Sequence, residues 1–185
     1  MRFVTTLVWL ASCTSVLAGG ETVGDQFRAV TPQEFANTFV GICVSNPGRL
    51  DKVGAIADAL ELADTPEPFW TLYAPQEAEA PYHSWFAIEG TGAPFVISIS
   101  EAPFQEQIYQ ICSVSNPFMN ANLALQQLDK FVSLNLSITD ETVAGSRYRI
   151  WSAADILEGV LISANDSEAI GGEGITLSIL APKQY

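Results

Sequence analysis

Apolar residues at Phe35, Phe39, Ile42 and Cys43 follow the i, i+4, i+7, i+8 spacing of one helical face. Thr31-Pro32-Gln33-Glu34 ahead of them forms a capping box with proline at the first helical position. Ser45-Asn46-Pro47-Gly48 stops this helix. Val53, Ile56, Ala57 and Leu60 then mark a second, shorter amphipathic helix, ended before Thr65-Pro66-Glu67-Pro68.

Beyond that point the helical period gives way to alternation. Tyr82 to Glu89, Phe95 to Ser100 and Gln105 to Val114 read as strands, and in the middle one Phe95, Ile97 and Ile99 alternate with Val96, Ser98 and Ser100. The links Gly90 to Pro94 and Glu101 to Phe104 are short, which makes the three strands an antiparallel meander. Ser115-Asn116-Pro117 precedes a third helix with Ala121, Ala124, Leu125, Leu128, Phe131 and Val132 on its stripe. Alternation resumes at Arg147 to Ala153, Gly159 to Ala164 and Ile175 to Ala181.

The two halves echo one another. Cys43 to Pro47 followed by a helix resembles Cys112 to Pro117 followed by a helix, and Trp85 leading to Phe95-Val96-Ile97-Ser98 resembles Trp151 leading to Val160-Leu161-Ile162-Ser163. The pattern therefore predicts an α+β fold, an antiparallel sheet of about six strands with helices packed on one face, built as a tandem helix-strand-strand-strand repeat.

Composition fits one core of ordinary size: 185 residues, 48% hydrophobic and 16% charged, with ten Phe, four Trp and five Tyr. The 21 acidic and 8 basic side chains leave a formal charge of −13, with no basic cluster, which makes phosphate backbones and anionic membrane surfaces poor partners. A neutral or cationic small ligand, or a protein, suits the charge better.

At the N-terminus, Met1-Arg2, an apolar run and Val16-Leu17-Ala18 before Gly19 have the three regions of a secretory signal. The expectation is cleavage after Ala18, so that residues 1–18 are the leader and 19–185 a single domain, secreted or periplasmic. Leu10-Ala11-Ser12-Cys13 also resembles a lipobox, which would place an acylated Cys13 at a membrane, and an uncleaved anchor is a third reading. Cleavage after Ala18 leaves Cys43 and Cys112. Export favours a bridge between them, and closing the long loop should stabilise the fold by roughly 4 kcal/mol on the chain-entropy account.

Candidate chemistry is sparse. His83 lies between Tyr82 and Ser84-Trp85, but neighbours along a strand point to opposite faces, so His83 and Ser84 do not form a dyad. No GxSxG elbow or CxxC spacing occurs. Glu67, Glu77, Glu79, Glu89, Glu101 and Glu106 in or beside the first meander offer carboxylate pairs for hydrolysis, although most sit where solvation accounts for them. Asn165 to Glu168 and Gly171 to Gly174 carry oxygen ligands that calcium uses, without the spacing of an EF-hand, and suit a hairpin connection equally well. No metal or cofactor is expected.

The densest concentration is aromatic: Phe69, Trp70, Tyr73, Tyr82, Trp85 and Phe86 among prolines. Rigid rings on a connection either line a groove for a ligand or complete the core. The resulting expectation is a non-enzymatic binding module using Trp70, Tyr73, Tyr82, His83 and Trp85, with a carboxylate-dependent hydrolase as the alternative.

Overall fold

A computed structural model describes residues 30–66, 80–87, 95–104, 107–167 and 172–183. Helix α1 (Pro32–Phe39) opens on the expected capping box: the Glu34 amide donates to Thr31 Oγ1 at 3.2 Å and the Thr31 amide to Glu34 Oε2 at 2.9 Å. It continues into one π turn (Val40–Val44), closed by the Ser45 amide donating to the Val40 carbonyl at 3.0 Å. Helix α2 spans Leu50–Ala59 and helix α3 spans Ala121–Leu128, the latter capped by Asn120, whose side chain accepts the Leu123 amide.

Among the described residues, eight strands form one antiparallel sheet: β1 (Ala63–Asp64), β2 (Tyr82–Ala87), β3 (Phe95–Phe104), β4 (Gln107–Asn116), β5 (Ser137–Val143), β6 (Ser146–Ser152), β7 (Leu161–Asp166) and β8 (Ile175–Pro182), in the order β1-β2-β3-β4-β8-β7-β6-β5. The hydrophobic pattern accounts for six of these. The other two are the edges. β1 has two residues, both exposed, and β5 reads Ser-Ile-Thr-Asp-Glu-Thr-Val with hardly a buried position, so neither shows the alternation that a half-buried strand requires. β3 also runs through Glu101 to Phe104, assigned above to a link, with Pro103 tolerated beside the hairpin end where it pairs with Ile108. α3 stops at Leu128, short of Phe131.

The two halves of the sheet share a register, each with four strands where the pattern gave three. Trp85 pairs with Ile97 and Ile97 with Val114; Trp151 pairs with Ile162 and Ile162 with Ile179. Each half is thus a meander of four strands, and the halves meet at β4 and β8. The other half of the sequence echo holds in part: a helix follows each segment, α2 after Pro47 and α3 after Pro117, but Cys43 lies in the π turn and Cys112 in a strand, where the two are bonded to each other.

That bond, with Cα atoms 5.4 Å apart, ties the first helix to the centre of the sheet. Cys112 shares its sheet face with Val114, Ile97, Trp85, Leu177 and Ile162, and on this face Phe35 of α1 stacks on Phe95 at 6.0 Å. Phe35, Phe39, Val53 and Leu128 are fully buried between helices and sheet, each contributing about 1.5–3 kcal/mol of apolar burial. The opposite face carries a row of serines across five strands, Ser84, Ser98, Ser113, Ser178 and Ser163.

Candidate functional site

The register separates the aromatic candidates. Trp85 and His83 point to the helix-covered face, whereas Tyr82 and Ser84, one residue removed from each, point to the other. Trp85 is core: it is buried, and its ring lies 4.0 Å from where a Cβ on Gly54 of α2 would stand. His83 is exposed, lies tilted against Trp85 with centroids 4.4 Å apart, and its Nε2 is 2.9 Å from Asp64 Oδ1. Tyr82 is half-buried opposite Ser100. Trp70 and Tyr73 lie outside the described residues.

The acids of the first meander give one described carboxylate, Glu101; Glu67, Glu77, Glu79, Glu89 and Glu106 also lie outside the described residues. Glu101 accepts from Lys183 Nζ at 2.7 Å and Gln110 Nε2 at 3.2 Å, and the Lys183 hydrogen bond holds its carboxyl below the usual range. A general acid needs the reverse, a carboxyl kept protonated by burial. In the second half Arg147 grips Asp140 through Nε and Nη2, both at 2.8 Å, which likewise depresses that carboxyl, and Arg149 is paired with Asp166 in a buried ion pair. Asp166 closes β7 and Ile175 opens β8, so the Asn165 to Gly174 stretch spans a hairpin connection. Among the described residues, no group of three or more His, Cys, Asp or Glu is placed to hold a metal ion.

A cleft of about 430 Å³ opens between α1 with its π turn, the segment after α2, and the start of β3. Its lining is largely apolar, with Ile42, Leu62, Phe95 and Ile97, and its polar groups are those of Asn37, Thr38 and Glu61. The volume is within the range of small-molecule sites, which run from about 300 to 1,000 Å³. Two of its residues run against their local backbone. Gly41 sits within the π turn, where a Cβ would meet nothing within 4 Å, so no steric demand calls for glycine. Glycine inside a helix costs about 1 kcal/mol relative to alanine.

Glu61 shows the converse. The Glu61 amide donates to the Asp58 carbonyl and the Leu62 amide to the Ala57 carbonyl, both at 3.0 Å, which is the hydrogen-bond pattern of a Schellman helix end. The residue at its hinge adopts left-handed backbone, φ 53°, and is normally glycine; a side chain there costs about 1–2 kcal/mol. Sequence reading missed both positions, although the signals were present: an isolated glycine inside the Phe35–Cys43 stripe, and no glycine after Leu60 where the second helix ends.

Comparison with protein-family models, with curated proteins and with solved structures returns no match.

Proposed function

We propose that this chain is an exported, non-enzymatic binding protein whose cleft beside α1 takes a small molecule with an apolar body and a neutral or cationic end. The observation that carries the reading is the coincidence at this cleft of Gly41 and Glu61, two residues less stable in place than the alternatives their backbone favours. Departures from local preference concentrate where function is served. Gly41 leaves the volume open, and Glu61 sets a carboxylate among its lining residues. The net charge of −13 adds a field that draws cations and repels anions.

Export is supported by the leader pattern at residues 1–18 and by the Cys43–Cys112 bond, which persists in oxidising compartments. Among the described residues, no helix is long and apolar enough to cross a membrane.

The test uses octylamine, octanol and octanoate, which share one chain and differ in charge. Octylamine should raise the melting temperature most and octanoate least, as expected of a ligand that binds only the folded state. Gly41→Trp should fill the cleft and abolish the shift while the protein remains folded. If none of the three moves the melting temperature, or if Gly41→Trp leaves the shift intact, the cleft is not the site.

A further inference from the structure

The sheet ends differently on its two sides. Among the described residues, β1 closes one edge with two residues, whereas β5 leaves seven residues, Ser137–Val143, paired on one side only, with β6. A bulge between Ser137 and Thr139 disturbs the first step; from Thr139 to Val143 the pairing with β6 is regular. An edge of this length presents a row of backbone donors and acceptors to any extended chain. Of the features that guard such edges β5 has the bulge at its start and the charges of Asp140 and Glu141, without proline or lysine, and Leu136 before it and Ile138 and Val143 within it are 68%, 55% and 56% exposed.

The charges identify the occupant. Asp140 is neutralised by Arg147, whereas Glu141 is exposed on the opposite sheet face. Antiparallel pairing of two β5 strands about Asp140 would set Asp140 across from Asp140 and Glu141 across from Thr139, so Glu141 would gain no opposite charge, and each chain carries −13. A basic strand has the complementary sign. We propose that the β5 edge binds an extended segment of a partner protein by strand addition, with a lysine or arginine across from Glu141 and an aliphatic residue across from Val143, which shares its face. This surface is separate from the cleft and does not depend on it.

The probe is the blocked heptapeptide Thr-Lys-Thr-Val-Thr-Lys-Thr, which sets lysine and valine two apart on one face, with a counterpart carrying glutamate for lysine, titrated into the intact protein. The lysine peptide should shift backbone amide resonances of residues 137–143, bind more weakly as salt rises, and lose about fivefold or more in affinity with Glu141→Lys. The glutamate peptide should not bind. Because Glu141 is exposed, Glu141→Lys should leave the melting temperature within a few degrees of the parent, which separates lost binding from lost folding. Equal binding of both peptides, shifts confined to residues away from β5, or concentration-dependent dimerisation through β5 without peptide would overturn the proposal, the last in favour of a second copy of the chain.

Discussion

Ser113 and Ser178 face each other across the seam between β4 and β8, their hydroxyl oxygens 2.8 Å apart. On either side the register is the same: Ser113 pairs outward with Ser98 and Ser178 with Ser163. The contact marks the local two-fold axis of the sheet, where equivalent residues of the two halves meet. The halves then diverge in what they add to a shared frame. The first inserts α2 over Trp85 and opens the cleft; the second sets the buried Arg149–Asp166 pair on its helix-facing side and ends in the long edge β5.

The Cys43–Cys112 bond closes 69 residues and should contribute about 4 kcal/mol to stability. Cys43→Ala with Cys112→Ala should lower the unfolding free energy in urea by about that amount and keep the far-ultraviolet circular dichroism of the parent. A double variant as stable as the parent would show the bond to be idle.

At the cleft, changes that improve stability should impair binding. Gly41→Ala is expected to stabilise by about 0.5–1 kcal/mol, because the position is helical and its Cβ meets nothing. Glu61→Gly should stabilise by about 1 kcal/mol by relieving the left-handed residue, and should remove the preference for octylamine over octanol. Denaturation midpoints and calorimetric titration measure the two effects separately.

Glu101 provides a pH signature. Its folded-state carboxyl is depressed by Lys183, so the unfolded chain binds the proton more tightly and stability rises with pH where the two states differ. The contribution is fully present above the ordinary value of 4.5 and is lost as pH falls through the lower folded value. Glu101→Gln should flatten that part of the acid limb, and Lys183→Met should move the loss to higher pH. Urea unfolding between about pH 2 and 6 would show both.

Arg149 and Asp166 are buried together, and Arg149 Nε has no hydrogen-bond partner among the described residues. Arg149→Met takes the cation from beside a buried carboxylate and should cost about 3–5 kcal/mol. Arg149→Met with Asp166→Leu should recover much of that loss, since removing both charges removes the desolvation cost as well. A double variant no more stable than the single one would refute this account.

Much of the frame was legible in the chain. The Thr31–Glu34 box, the stripes of the helices and the alternation around Ile97, Ile162 and Leu177 are local signals, and the structure places an element on each. The shared register of the halves was readable through Trp85 and Trp151, while the echo of Cys43 in Cys112 foretold the helix after each segment but not the segments themselves, because a short run of similar residues can serve a helix in one place and a strand in another. β1 and β5 were illegible because edge strands obtain their order from a neighbour's backbone and need bury no side chain. The cleft was illegible as a place, although Gly41 and Glu61 stood out of pattern once the helix boundaries were known.

Periodicity, capping and charge by themselves determined the helices, six of the eight described strands and the acidic balance, since each depends on residues near in sequence, and the leader pattern, by setting Cys13 aside, gave the expectation that Cys43 pairs with Cys112. Tertiary structure alone decided the strand order, the burial of Trp85 under Gly54, the pairing of Glu101 with Lys183, and the meeting of Gly41 with Glu61 at one cleft. These are contacts between distant segments. Their geometry follows from how the β4–β8 seam brings the two meanders together, which no local pattern encodes.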